Sequence, residues 1–491
     1  MIRINFKNYN YLLLISMIVV GVILSFSDLL QPMISESDAY ARVNVAISQK
    51  NAGLFFNKYG GTWLPFYFTI MSSLLSIFNY PLLVPRLVTL FFSLGSVIAI
   101  YFYTKLFTKN KSIALLSSLF LLLFPLRIYL GTQTLSEPIF VFFLLTSFVF
   151  IAKDRLSYKE IFFSLFFLNT AHGIRYESWM ALPFIWFLIA NKPISINKKL
   201  IFVLLSIAFP ILWLYLNFLY KGSFLTFFNQ KYEVAQNYII PEYYSFNLSL
   251  IAWVKKLIII FPISYLIISI FSLKKIFKQL TVKNIFYYGL PFFFFGMLVL
   301  QVFLGTMEWL PIRYLLIPTT FLIPLLSSSM YEFGSYLYLF FKKEKVLIKK
   351  IIYFSFILSA VFLFARQYFY LSNNSRLEMR DCSFLNSYLS YETIENSSVY
   401  SDFFGLLKKC EQACDDNIIF FYDEQQRTYL DQGLFYFLNK PGTSLSKEKL
   451  KESIEKGNVF VWERSLGDEG GLIEWFDVLY ESQRFYLLKN N

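Results

Sequence analysis

Ionisable side chains are scarce in this sequence, and those that fall beside long apolar runs are candidates for chemistry. Glu36 and Asp38 stand in SESDAYARVNVA, and Arg86 in VPRL. Arg127 and Glu137 flank LRIYLGTQTLSEP. His172, Arg175 and Glu177 share HGIRYESW, and Glu308 and Arg313 share MEWLPIRYLLIP. An arginine grips phosphate oxygens through a bidentate fork. A carboxylate nearby can accept the proton of an incoming hydroxyl. Carboxylates and arginines gathered at one membrane face therefore suit a lipid-anchored phosphate and a hydroxyl, as in sugar transfer from a polyprenyl phosphate. Such a transfer needs no nucleotide, so the lack of a phosphate-cradling glycine fingerprint does not count against it. A divalent metal is not required, although two carboxylates two residues apart can hold one.

Each residue also has a purely structural reading. Asp38 is placed to cap a helix over 39–49, and Glu137 sits where a first helical turn begins before Pro138. Arg175 and Glu177 can pair across a turn, and His172 can be a packed interfacial histidine. Arg313 and Arg86 can snorkel to the membrane surface.

These side chains must be held by membrane helices. Of the 491 residues, 56% are hydrophobic and 16% charged, where a soluble domain carries about a quarter charged residues. The chain holds 59 Phe and 35 Tyr against 19 Gly and 16 Pro, a bias that excludes disorder and collagen-like structure. The apolar residues come in blocks of the length a helix needs to cross a bilayer. The net charge of +13 resides in short loops between those blocks, which points to membrane topology rather than to a nucleic-acid partner.

The apolar blocks lie at about 11–30, 63–79, 84–107, 112–131, 134–152, 160–173, 176–190, 200–220, 250–273, 285–305, 310–333 and 351–370. Lysine and arginine clusters at 3–7, 105–111, 153–159, 192–199, 274–283 and 342–350 all reach the cytoplasmic side on one condition. The block 63–79, WLPFYFTIMSSLLSIF, must lie in the outer interface rather than cross. The expectation is a multi-span α-helical membrane protein of about eleven transmembrane helices, with the interfacial helix in a first outer loop, 31–83. Its N-terminus is expected inside. The first span lacks a small-residue cleavage site and reads as an uncleaved helix.

Residues 372–491 are more polar and are expected to form a small extracytoplasmic α/β domain, set apart from the membrane domain 1–371. Strand-like runs fall at 398–401, 417–422, 458–462 and 484–488, with helical candidates at 424–438 and 446–456. All three cysteines, Cys382, Cys410 and Cys414, lie here. One disulfide involving Cys382 is expected on the oxidising side of the membrane.

The order of these features resembles the GT-C fold membrane glycosyltransferases, the group that contains protein O-mannosyltransferases and lipid A aminoarabinose transferases. The likeness covers roughly residues 11–333. It rests on the acids Glu36 and Asp38 before AYARV, on WLPFYF as an interfacial helix, on PRLVTLFFSLGSVIAIYFYTKLF, and on a run ending in Pro125. TLSEP with Glu137, the HGIRYESWMALP turn and the late IRYLLIP span complete it. Two features depart from the family. The usual acidic motif is here Glu-Ser-Asp, and the histidine of the interfacial helix is replaced by Trp63 or Leu64.

The resemblance implies inverting transfer of a sugar, such as a mannose-like hexose, from a polyprenyl-phosphate donor to an acceptor on the outer face. Under it, Asp38, helped by Glu36, is the general base, and Glu137 orients sugar or acceptor. Arg313, Arg175 and Arg86 receive the donor phosphate. Tyr40, Trp63, His172, Glu177 and Glu308 line the substrate. The partners implied are the lipid donor, membrane lipid and an unidentified protein, lipid or glycan acceptor. Two rivals are a transporter or flippase of lipid-linked glycans, which would favour repeat symmetry and broken midplane helices, and a polymerase or ligase of such glycans.

Overall fold

The structure, a computed structural model, describes residues 9–30, 37–52, 63–80, 83–154, 156–230, 281–303 and 312–340, with five strands between 418 and 490. The chain divides into two compact units. One comprises Met1–Gln31, Phe56–Tyr67 and Leu87–Leu371; the other comprises Pro32–Phe55, Phe68–Arg86 and Ser372–Asn491.

The described helices are α1 (Tyr9–Leu30), α2 (Ser37–Asn51), α3 (Pro65–Phe78), α4 (Val84–Thr108), α5 (Lys111–Leu123), α6 (Pro125–Thr132) and α7 (Glu137–Ile151). They continue with α8 (Tyr158–His172), α9 (Glu177–Met180), α10 (Leu182–Ala190), α11 (Ile196–Ser206) and α12 (Ala208–Lys221). After the undescribed 231–280 come α13 (Val282–Phe303), a 3-10 turn (Ile312–Leu315) and α14 (Leu316–Phe340). The apolar blocks predicted from sequence fall on these helices, except 250–273 and 351–370, which lie outside the described residues. Among the described residues, four stretches are long and apolar enough to cross a membrane: Val84–Thr108, Ile196–Lys221, Asn284–Gln301 and Arg313–Phe333.

The block predicted as one span over 112–131 is instead broken into α5 and α6, which meet at a bend of 57°. Pro125 causes the break, because it has no N–H to donate and its ring excludes a continuous helix. Arg127 then compensates: Nη2 donates to the Leu122 carbonyl at 2.7 Å and Nη1 to Ser93 Oγ at 3.4 Å. Arg127, 1% exposed, is thereby committed to closing the bend.

Helix α3 has 14 residues, a length of roughly 21 Å against a hydrocarbon core of about 30 Å. It is one of the described apolar helices shorter than a full span. Helices α7 and α8 are also short, 15 residues each, and pack along one another. Local signals fix their ends. The Asn110 side chain caps α5 by accepting from Ser112 N, and Ser157 and Glu160 form a capping box on α8. Gly222 ends α12 in the left-handed region, φ 73°, where glycine carries no steric penalty.

Phenylalanine fills the helix contacts. Rings of Phe142, Phe143, Phe150 and Phe167 bridge α7 and α8. Phe148, Phe294 and Phe321 tie α7, α13 and α14. Elsewhere in the first unit large apolar side chains are exposed: Phe162 and Phe166 on α8, Leu204 on α11, Leu212 and Leu219 on α12. A soluble protein rarely tolerates such stripes; hydrocarbon solvates them.

In the second unit five strands are described: β1 (Ile418–Tyr422), β2 (Gly442–Ser446), β3 (Val459–Glu463), β4 (Phe476–Glu481) and β5 (Phe485–Asn490). They form a mixed sheet of order β2-β1-β3-β5-β4. β1 runs parallel to both β2 and β3, with Ile418 opposite Gly442 and Val459. β3–β5 and β5–β4 are antiparallel. The sequence explains the order. IIFFY and VFVWE are continuous apolar runs suited to inner positions, whereas GTSLS is an edge strand with little to bury. Prediction placed β1, β3 and β5 but missed β2 and β4. β2 lacks an apolar pattern; β4 alternates Phe476, Val478 and Tyr480 and carries a bulge between Val478 and Tyr480. The predicted strand at 398–401, the helix at 424–438 and Cys382, Cys410 and Cys414 lie outside the described residues, as does most of 446–456.

Candidate active site

The ends of three segments of the first unit bring four of the sequence-predicted ionisable residues together. Glu137 is the first residue of α7, Glu177 the first of α9, and Arg313 lies in the 3-10 turn before α14. Arg175 lies in the turn between α8 and α9. Glu137 thus stands at the N-terminus of the 15-residue α7, where backbone N–H groups make the potential positive.

Arg175 is the hub. Nη1 donates to Glu137 Oε1 at 2.7 Å and to Ser136 Oγ at 3.1 Å. Nη2 donates to Glu177 Oε1 at 2.6 Å, and Nε reaches both Glu177 oxygens at 3.2 Å. The guanidinium has five N–H groups; these bonds engage both hydrogens of Nη1, that of Nε and one of Nη2. One guanidinium face lies against the Tyr314 ring, 4.6 Å from its centroid. Arg313 lies over the same ring at 5.3 Å, and its Nε stands 3.5 Å from Glu137 Oε1. Glu137 is 0% exposed, Glu177 6%, Arg175 8% and Arg313 6%. Burial alone would lower the pKa of Arg175. The adjoining Glu137, and then Glu177 and Tyr314, reverse that and leave it above its ordinary value, firmly cationic. Among the described residues the cluster holds two acids and two arginines.

The turn that carries Arg175 is pinned from several directions. Phe66 N donates to the Gly173 carbonyl at 2.9 Å. Trp179 Nε1 donates to the His172 carbonyl at 3.0 Å, and Trp213 Nε1 to Tyr176 Oη at 3.0 Å. The Tyr176 ring stacks on Phe227 at 4.3 Å. Tyr67 Oη, from the first turn of α3, donates to the Thr134 carbonyl at 2.6 Å, fixing the segment before Ser136 and Glu137.

A side chain at position 173 would run into the Phe66 ring. Gly173→Ala is therefore expected to destabilise by about 1–3 kcal/mol and to loosen the Arg175 turn. Thermal unfolding of the purified variant checks the loss, and an unchanged midpoint would contradict the packing described.

His172 is fully buried, and its Nδ1 lies 2.8 Å from Ser178 Oγ. Ser178 Oγ also donates to the Arg175 carbonyl at 2.8 Å. The histidine braces the turn that carries Arg175.

Asp38 falls in the first turn of α2, which begins at Ser37, two residues earlier than the helix predicted over 39–49. Tyr40 lies in the same turn. Arg86 is buried in the first turn of α4, and Trp63, half-buried, precedes α3. Asp38, Tyr40 and Arg86 belong to the second unit, Trp63 and the four-residue cluster to the first. Glu36 and Glu308 lie outside the described residues. Among the described residues, no three or more His, Cys, Asp or Glu side chains converge as a metal site. Sequence reasoning missed Ser136 and Tyr314. Ser136 adjoins Glu137 and Tyr314 adjoins Arg313, and adjacency was the available signal.

No protein-family model and no curated protein sequence matches the chain. Solved structures do. The chain is similar to ArnT, the aminoarabinose transferase of Cupriavidus metallidurans, in its apo state, with a TM-score of 0.61 at 11% identity, covering 96% of this chain and 97% of that one. It is similar to the same protein bound to undecaprenyl phosphate, with a TM-score of 0.64 at 10% identity and the same coverage. The Archaeoglobus fulgidus oligosaccharyltransferase matches with a TM-score of 0.55 at 10% identity, over 94% of this chain and 70% of that one. The chain has the fold of the GT-C membrane glycosyltransferases.

Proposed function

We propose that the protein is an integral membrane glycosyltransferase that moves one sugar from a polyprenyl-phosphate donor to an acceptor on the extracytoplasmic face. The observation that carries this reading is the buried Glu137–Arg175–Glu177–Arg313 cluster within a GT-C fold. Similar structures bind lipid phosphates: undecaprenyl phosphate in ArnT, and dolichol phosphate with an inhibitory peptide in an archaeal oligosaccharyltransferase. The positive-inside pattern supports a cytoplasmic N-terminus and an extracytoplasmic C-terminal domain.

In the proposed chemistry Asp38 takes the acceptor hydroxyl's proton while the oxygen attacks the anomeric carbon. The bond from that carbon to the phosphate oxygen breaks, leaving free polyprenyl phosphate, and one displacement inverts the centre. Glu36 assists, and Tyr40, Trp63 and Glu308 contribute to the substrate surface. Arg313 stabilises the departing phosphate, whose charge grows in the transition state. Arg175, with at least four N–H groups engaged by protein, acts mainly by fixing Glu137. Arg86 is an additional cation for the donor. A mannose-like hexose is the proposed sugar.

Arg313→Gln tests this reading. Loss of a charge-assisted contact that strengthens as charge builds on the departing phosphate is expected to lower kcat by about 10²–10³ in release of polyprenyl phosphate. Wild-type kcat in a folded variant would remove Arg313 from the site.

A further inference from the structure

The two arginine contacts of Glu137 are unequal. Arg175 Nη1 holds Oε1 at 2.7 Å, a short charge-assisted bond, while Arg313 Nε faces the same oxygen at 3.5 Å, beyond ordinary hydrogen-bond length. The acid is fully buried, so its charge is little screened by water. A donor phosphodiester adds one negative charge beside the two acids and two arginines of the described cluster.

We propose that Glu137 is a stand-in for the donor phosphate: its carboxylate faces Arg313 until the donor binds and yields that arginine to the incoming lipid phosphate, staying held by Arg175 and Ser136. This inference rests on the reading of Arg313 as the phosphate ligand. The exchange gives Arg313 an anionic neighbour in both states, which suits a buried cation. It also sets donor affinity, because the Glu137 carboxylate competes with the phosphate for Arg313 and repels it. Release of the product phosphate is then assisted by the return of Glu137 to Arg313. Arg175 is the positioning residue of the exchange: with Glu177 and Tyr314 fixing the guanidinium, Glu137 has a firm anchor to withdraw to.

The test is titration of the full-length protein in lipid nanodiscs with undecaprenyl phosphate and with undecaprenol, followed by native mass spectrometry. Inorganic phosphate is a third probe, separating headgroup recognition from the lipid chain. Glu137→Gln removes the competing charge and is expected to tighten undecaprenyl phosphate on the order of tenfold, leaving undecaprenol unchanged. Arg313→Gln is expected to weaken undecaprenyl phosphate by about tenfold or more. If Glu137→Gln binds no tighter while Arg313→Gln binds more weakly, the exchange is wrong and the assignment of Arg313 survives. If neither variant alters phosphate-dependent binding, the phosphate lies elsewhere and both readings fall. Should Glu137→Gln not fold, Glu137→Asp serves: the shorter side chain draws the carboxylate back from Arg313, and unchanged or weaker binding overturns the exchange.

Discussion

Replacement of Arg175 by methionine is expected to cost about 3–5 kcal/mol of stability, because it removes one partner of a buried ionic network and leaves others uncompensated. Methionine roughly fills the volume but offers nothing to Glu137, Glu177 or Ser136, all of which accept from Arg175. Each loses its bond to Arg175, and the Tyr314 ring loses one of the two cations packed on it. Lysine restores the charge but not the planar fork, so Arg175→Lys should recover only part of the loss. Adding Glu177→Gln to Arg175→Met should also recover part, since one orphaned charge disappears. Thermal unfolding of the four proteins in one detergent measures the series. If Arg175→Met matched wild type, the cluster would be an ornament of the surface rather than a buried network.

Asp38→Asn is expected to lower kcat by about 10²–10⁴ with little change in stability, because an amide of the same shape cannot accept the acceptor's proton. The position in the first turn of α2 frames the alternative. A residue that only capped or stabilised the helix would cost about 1 kcal/mol on replacement by Ala, and asparagine, itself a good cap, would cost less. Turnover would then be intact in Asp38→Asn. Measuring kcat and KM beside the unfolding midpoint separates the two: a base loses kcat, a cap loses at most stability. Glu36→Gln in the same assay shows whether the neighbouring acid shares the role.

Much of the candidate cluster was legible because the bilayer makes charge expensive. Glu137, Arg175, Glu177 and Arg313 each stand beside apolar runs, and nothing in a hydrophobic span explains such residues without partners. Which acid meets which arginine was not legible. The sequence suggested Arg175 with Glu177 across the turn, which the structure bears out at 2.6 Å. The link from Arg175 to Glu137 spans 38 residues and depends on how α7 packs against α8. Ser136 and Tyr314 were missed because hydroxyls and aromatic rings are too common here to stand out; 35 tyrosines give no reason to choose one.

The helical order was legible for the same physical reason, since apolar blocks of span length have few other fates. The break at Phe124 was missed, although Pro125 announces it, because block length alone favoured one span. In the second unit β1, β3 and β5 carry apolar or aromatic runs that announce strands. β2 has only GTSLS, so its pairing with β1 is decided by the sheet and not by its own residues.

The most direct measurement is donor turnover. Purified wild-type protein and Asp38→Asn would be incubated with a panel of polyprenyl-phosphate sugars and a membrane or cell-wall extract, with free polyprenyl phosphate followed by mass spectrometry. The account predicts release by wild type from one class of sugar, lost in Asp38→Asn, with the sugar recovered on an acceptor. Binding of the lipid donor without release from any member of the panel would contradict it and favour a carrier of lipid-linked sugars.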